Sequence, residues 1–210
     1  MHGTYRAADL PFYRKLCIGK FRVAVDGGYA FFRKTGLRLD LLIGDFDSLK
    51  RMPSNLIPST EVLTFPRDKD ATDSEAALAY CLEQKSHRVD IVQPSIGELD
   101  HFLGNLMLLT RACKTGATRS KPKLRLISPS TEVRLVESES WTIRNAKGDT
   151  VSIVPLSKRV ILSCRGTEYD VEGLIVRRGE TTGLRNRIRT VRARFEIQGQ
   201  AFVFHSFGGR

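Results

Sequence analysis

Leu39-Asp40-Leu41-Leu42-Ile43-Gly44-Asp45-Phe46-Asp47-Ser48 is the stretch that decides the fold. An apolar run, Leu39–Ile43, meets a glycine and opens into a loop with two carboxylates. Asp40 interrupts it, but Leu41-Leu42-Ile43 is a short unbroken apolar run bounded by a turn residue, the signature of a strand covered on both faces. The same arrangement recurs on either side. Asp26-Gly27-Gly28 follows Phe21–Val25, Arg67-Asp68-Lys69-Asp70-Ala71-Thr72-Asp73 follows Glu61–Phe65, and Gly97-Glu98-Leu99-Asp100-His101 comes after Val89–Gln93. Helical patterns follow the first, third and fourth runs, while Pro53 and Pro58 break the stretch after the second into short pieces, so the first part reads as strands alternating with helices and a mostly parallel, Rossmann-like sheet.

In such a sheet the loops at the carboxyl ends of the strands share one edge, where ligands bind. Several acids at one edge repel each other unless a cation sits among them. The pattern points to a magnesium site for a phosphorylated substrate. Asp45 and Asp47 are two apart, so on an extended segment both carboxylates face the same way. The alternative is an ordinary acidic turn with a serine cap. Asp26-Gly27-Gly28 is a strand-to-helix turn whose glycines let backbone N–H groups approach a phosphate. Neither a GxxxxGK[ST] loop nor a GxGxxG after a strand occurs, so phosphate binding falls to a metal, helix N-termini and single cations such as Arg67 and Lys69.

The chain has 210 residues, of which 41% are hydrophobic, enough for one large or two small domains. No apolar stretch is long enough to span a bilayer and no basic-then-apolar leader opens the sequence, so the expectation is a cytoplasmic protein without a membrane partner. Cys17, Cys81, Cys113 and Cys164 form no CxxC pair and read as reduced structural thiols, Cys81 and Cys113 as small core residues. The net charge of +11 invites a nucleic-acid reading. Arg185, Arg187 and Arg189 alternate as on one strand face, but no aromatic platform is interleaved, so a solvated face is expected and nucleic acid is not an expected partner.

Further along the first part, Tyr29–Thr35 reads as a helix closed by Gly36. Thr72-Asp73-Ser74-Glu75 has the capping-box spacing and starts a helix to about Gln84. Asp100 is a candidate cap for a helix His101–Cys113. The helical pattern fades near Lys114-Thr115-Gly116, and Ser120-Lys121-Pro122 reads as a linker. This gives an α/β domain over 1–119 and an all-β sandwich over 120–210. The second part reads as short strands, with Glu132–Val136 and Ser140–Arg144 separate, and with Gln198-Gly199-Gln200 a hairpin turn between Val191–Ile197 and Ala201–His205. His2, His87 and His205 lack metal-ligand spacing, GxSxG is absent, and His101 reads as a polar group at a helix start.

Taken in order, DGG (Asp26–Gly28), GDFDS (Gly44–Ser48), the Pro66–Asp73 segment and Leu99-Asp100-His101 with Asn105 four residues on resemble the thiamine pyrophosphokinase family over nearly the whole chain. The resemblance implies an α/β domain followed by a β-sandwich that serves thiamine binding and dimerisation. It implies transfer of a pyrophosphoryl group from ATP to the hydroxyl of thiamine with Mg²⁺, giving thiamine diphosphate and AMP in a homodimer. Carried over residue by residue, Asp45, Asp47 and Asp73 become the metal centre and, with Asp100, the catalytic set. Asp26, Gly27, Gly28, Arg67, Asp68 and Lys69 become nucleotide contacts, and Asp100 and Asn186 substrate contacts.

The sequence also departs from the family. Ile96-Gly97-Glu98 stands where Gly-Gly-Arg is usual, so an acid replaces a base. Near Gly173-Leu174 the family places an aromatic that stacks on thiamine, and Val176 stands there. Arg185-Asn186-Arg187 replaces Ser-Asn-Glu, adding two positive charges. These changes raise the alternative of another alcohol as acceptor, such as a hydroxymethyl pterin. A basic nucleic-acid-binding protein on a degenerate kinase fold is the more distant alternative, against which the retained carboxylate motifs speak. His2-Gly3 occupies the place of an Asn-Gly that follows an apolar strand in the family, and the expectation is that the natural chain carries several more apolar residues ahead of it.

Overall fold

The computed structural model describes residues 5–46, 56–65, 71–94, 97–113 and 122–208. Two compact units divide the chain, Met1–Lys123 and Leu124–Arg210.

In the first unit, α1 (Leu10–Leu16) begins with Pro11 in its first turn, a position that needs no N–H donor. β1 (Val23–Val25) runs through a single 3₁₀ turn, Asp26–Gly28, into α2 (Tyr29–Thr35). Gly36 closes α2 in the left-handed region at φ 66°, its N–H bonded to Phe32 O at 2.9 Å, as its place in the sequence leads one to expect. β2 (Leu41–Gly44) and β3 (Glu61–Thr64) complete a parallel sheet of order β1-β2-β3, with Val23 opposite Leu41 and Leu41 opposite Glu61. β2 is the middle strand, and Leu41, Leu42 and Ile43 are wholly buried, which is why its sequence is continuously apolar.

The core beside it is aromatic. Tyr5, Tyr13, Phe31 and Phe32 meet in tilted and edge-on pairs with ring centroids 5.0–5.9 Å apart. Asp40 is buried at the start of β2 and held by Arg22 Nε at 2.8 Å and Arg38 Nε at 2.9 Å. Burial pushes its carboxyl up, but the bonds from Arg22, with the charge of Arg38, overcome that and leave it below the usual range.

α3 (Asp73–Glu83) starts at Thr72, whose hydroxyl accepts the Glu75 N–H at 3.2 Å. Thr72 thus caps as expected, while Glu75 turns its carboxylate to Arg111 at 2.7 Å. β4 (Arg88–Val92) precedes α4 (Leu99–Leu108), which tightens into a 3₁₀ segment, Leu109–Cys113. The cap of α4 is Glu98, not Asp100, and it makes no side-chain cap bond. Asp100 lies inside the first turn, where its Oδ1 accepts the His101 N–H at 2.7 Å. Among the described residues no helix is long and apolar enough to cross a membrane. Cys17, Cys81 and Cys164 are free thiols, and Cys81 is half-buried.

The second unit is antiparallel. β5 (Lys123–Ile127), β6 (Thr131–Arg144), β7 (Thr150–Pro155), β8 (Arg159–Arg165), β9 (Val171–Arg177), β10 (Asn186–Arg187) and β11 (Arg192–Ser206) follow in order. β11 pairs with β6, β7 and β8. An α/β part followed by an all-β part is therefore the observed fold class, as the sequence implies.

Two expectations about strands are corrected. Glu132–Val136 and Ser140–Arg144 are one strand, β6, and the two strands expected after Val191 are one strand, β11. Gln198-Gly199-Gln200 is not a hairpin turn but the place where the β6–β11 register shifts, between Ile197 and Gln200. Gly199 at φ 101° and Ser138 at φ 46° absorb the irregularity, and Ser138 Oγ accepts the Gly199 N–H at 3.0 Å. Behind this sheet Phe195, Ile197, Val160, Val176 and Ala193 form a core, with Trp141 stacked on Phe195 at 5.3 Å.

Candidate active site

Three of the sequence's aspartates meet. Asp26 stands in the turn after β1, Asp45 just after β2, and Asp73 at the first position of α3, beyond β3. Each offers a carboxylate oxygen, all lying within 4.8 Å of one another, and each side chain is half-buried. Parallel strands deliver them to one edge because the loops at their carboxyl ends lie side by side.

The backbone is bent to bring them there. Asp26 has φ 43° and Phe46 φ 63°, both in the left-handed region, where non-glycine residues are uncommon. Within Asp26-Gly27-Gly28 it is Asp26, and neither glycine, that adopts the left-handed conformation. Its Oδ1 accepts the Phe46 N–H at 3.4 Å, tying the two loops together. Gly44 is required on steric grounds, since a Cβ there would lie 1.8 Å from Asp26 Oδ1.

Burial pushes the Asp26 carboxyl up to about 6, helped by the bond to Asp73 and the charges of Asp73 and Asp45, while the Phe46 N–H opposes the rise. Crowded, partly dehydrated carboxylates of this kind suit a hard divalent cation with oxygen ligands. Asp45 and Asp73 were expected to be metal ligands, and the structure brings them together. Asp26, expected as a nucleotide contact, joins them. Only the strand order could have placed it there, because nothing in Asp26-Gly27-Gly28 distinguishes it from other strand-to-helix turns. Asp47, Arg67, Asp68 and Lys69 lie outside the described residues. Gly27 and Gly28 sit in the 3₁₀ turn leading into α2, and Gly28 is buried.

Glu98, Asp100 and His101 make a second cluster at the start of α4, exposed to solvent. Glu98 Oε2 lies 3.4 Å from His101 Nε2, so the acid in the usual place of a base is turned to its own helix. Asn105, one turn further on, is buried.

In the second unit Asn186 is fully engaged. Its Nδ2 donates to Tyr169 O at 2.7 Å and to Thr167 Oγ1 at 3.2 Å, and its Oδ1 accepts the Tyr169 N–H at 3.1 Å. Thr167 N–H in turn donates to Asp170 Oδ1 at 2.9 Å. The side chain expected to touch substrate is thus a clamp on the Thr167–Asp170 turn, and the turn displays Tyr169 at 68% exposure. Val176, by contrast, is wholly buried in the core of the unit and presents nothing to a ligand. The spacing of a glycine with an aromatic three positions on is met by Gly166 and Tyr169. Counting from Gly173 leads to Val176 instead, and the Gly166 spacing is the signal that would have found Tyr169.

Arg185, Arg187 and Arg189 do not share a strand face. Only Asn186–Arg187 is strand, Arg185 has φ 57°, and Arg189 pairs with Glu168.

Comparison with known proteins agrees with this geometry. Residues 15–119 match the family model described as "Thiamin pyrophosphokinase, catalytic domain". The chain is 27% identical over 181 residues to thiamine pyrophosphokinase of Bacillus subtilis, covering 83% of this chain and 81% of the relative. It is 24% identical over 193 residues to thiamin pyrophosphokinase 1 of Caenorhabditis elegans, covering 81% and 72%. The crystal structure of the Bacillus subtilis enzyme superposes with a TM-score of 0.76 at 25% identity, covering 95% of this chain and 92% of that one. That of the Geobacillus thermodenitrificans protein superposes with 0.78 at 24% identity, covering 99% and 96%. A parallel sheet that gathers three aspartates at its carboxyl edge, an antiparallel domain following it in the chain and a match across half the sequence lead to one family: the chain belongs to the thiamin pyrophosphokinases.

Proposed function

We infer that the chain transfers a pyrophosphoryl group from ATP to the hydroxyl of thiamine, forming thiamine diphosphate and AMP. The observation that carries this reading is the convergence of Asp26, Asp45 and Asp73 within 4.8 Å. The thiamine hydroxyl oxygen bonds to the β-phosphorus and releases its proton, the bond from that phosphorus to the α,β-bridging oxygen breaks, and AMP leaves. Little covalent chemistry falls to the protein, so its contribution is position and charge.

Asp45 and Asp73, with Asp26, would hold Mg²⁺. When bound, the ion would offset the negative charge of the polyphosphate oxygens around the β-phosphorus. The family resemblance assigns Asp47 to the same centre through GDFDS and Asp100 to the substrate. Arg67, Asp68, Lys69, Gly27 and Gly28 belong to the nucleotide in this reading. Asn186 acts on the acceptor through Tyr169: it grips both backbone polar groups of that residue and so fixes an exposed ring, a good platform for a cationic heterocycle. In this reading Tyr169 supplies the aromatic that counting from Gly173 puts at Val176, which favours thiamine over an uncharged alcohol. A homodimer completes the reading and rests on the family resemblance.

The direct test is Asp45→Asn. Mg²⁺-dependent AMP release should fall by about a thousandfold or more while circular dichroism stays unchanged. Near-normal release would remove the carboxylate assignment.

A further inference from the structure

Three acids lie around Tyr169 in the sequence, Glu168, Asp170 and Glu172, and the structure puts them to different uses. Glu168 pairs with Arg189, and Glu172 lies 3.2 Å from Arg165. Asp170 is exposed and pairs with no basic side chain among the described residues. Its Oδ1 accepts two neutral donors of one residue, the Thr167 N–H at 2.9 Å and the Thr167 hydroxyl at 3.0 Å. Neutral partners of this kind fix the position of a carboxylate without cancelling its charge.

The direction of the bonds gives Asp170 a place in the clamp on Tyr169. Asn186 Nδ2 has two hydrogens, and it lies 2.7 Å from Tyr169 O and 3.2 Å from Thr167 Oγ1. Thr167, only 8% exposed, thus accepts from Asn186 and keeps one hydroxyl proton to give away. Tyr169 O and Asp170 Oδ1 each stand 3.0 Å from that hydroxyl. Tyr169 O already has its shorter bond from Asn186, and a carboxylate is the stronger acceptor. The donors therefore run from Asn186 through Thr167 to Asp170, and the chain of bonds ends on the carboxylate.

We propose that Asp170 is a specificity-determining residue of the acceptor site: through Thr167 it positions the turn that displays Tyr169, and its charge draws a cationic ligand to that ring. This rests on the reading of Tyr169 as the platform for thiamine. Arg185 and Arg187 stand on either side of Asn186, exposed and with no carboxylate partner among the described residues, and they repel a cation. Asp170, in the turn that Asn186 grips, supplies the opposite charge. A ring face attracts a cation at short range, and a neighbouring carboxylate adds a longer-ranged attraction that salt screens. An uncharged alcohol gains nothing from it, so the carboxylate selects by charge.

The test is titration calorimetry of thiamine into the full chain across a salt series, for the native protein, Asp170→Asn, Asp170→Ala and Glu172→Gln. Asparagine keeps an oxygen for both Thr167 donors and removes only the charge. Asp170→Asn should weaken thiamine binding about fivefold at low salt, with the gap closing as salt rises. Glu172→Gln removes the same charge from an acid that has its own arginine and should bind thiamine as the native chain does. Asp170→Ala also strips the Thr167 donors of their acceptor. It should weaken binding further and speed hydrogen exchange at the Tyr169 N–H, which donates to Asn186 Oδ1. Native affinity in Asp170→Asn, a loss that does not fade with salt, or an equal loss in Glu172→Gln overturns the role of the charge. Unchanged Tyr169 exchange in folded Asp170→Ala overturns the positioning. Thiamine that binds with the expected salt dependence but yields no AMP would end the transfer reading and leave Asp170 its role, whereas no binding to the native chain at any salt overturns the proposal.

Discussion

Gly44 and Asp26 define how the acidic site is assembled. Any side chain at Gly44 would strike the Asp26 carboxylate, so the glycine of GDFDS keeps room for an acid from a different strand. Asp26 titrates at about 6 in the folded chain against 3.8 ordinarily. A carboxyl raised on folding adds stability that is fully present below its unfolded value and is lost as pH rises through the folded one. At neutral pH without metal, the charged trio is therefore a strain. In metal-chelated protein, Asp26→Asn should raise the melting temperature at pH 7.5, with the gain shrinking towards pH 4.5, as scanning calorimetry would show. An equal loss at both pH values would contradict the crowding. Tyr169→Ala should raise KM for thiamine about tenfold and leave KM for ATP alone, with Tyr169→Phe restoring it; a rise in both constants would place the ring elsewhere. That Asp45 and Asp73 meet is anticipated by the sequence, in which Asp45 follows one apolar run and Asp73 opens the helix beyond another. Asp26 is not, since its membership depends on strand order, and Tyr169 is hidden by the choice of glycine from which to count.

Elements follow local signals where those signals are short-ranged. β2 is legible from Leu41-Leu42-Ile43, and the end of α2 from Gly36, because burial on both faces and a left-handed cap each leave a residue-level mark. The start of α3 is legible from Thr72. Thr72→Ala should cost about 1 kcal/mol in urea unfolding, because the Glu75 N–H loses its acceptor. No change in stability would mean that the bond carries nothing. The long strands β6 and β11 are not legible as single elements. Alternation of period two does not distinguish a turn from a bulge, and Gln198-Gly199-Gln200 has the composition of either. What keeps β11 continuous is its pairing with β6 on both sides of the irregularity, a long-range fact. α1 is short, and its one local mark is Pro11 near its start.

At the scale of the whole molecule, the two units carry different groups. The first holds the three carboxylates and their strained loops, and the second holds Tyr169, clamped by Asn186. The departures from the family at Glu98, Arg185 and Arg187 leave that division intact. Glu98 faces its own His101, and Asn186 between the two arginines still fixes Tyr169. Phosphorus NMR of the full chain with ATP, Mg²⁺ and thiamine follows every phosphate at once. The expected spectrum shows AMP and thiamine diphosphate appearing in equal amounts as ATP declines. ADP with thiamine monophosphate, or an unchanged spectrum from protein that binds Mg-ATP, would contradict pyrophosphoryl transfer to thiamine.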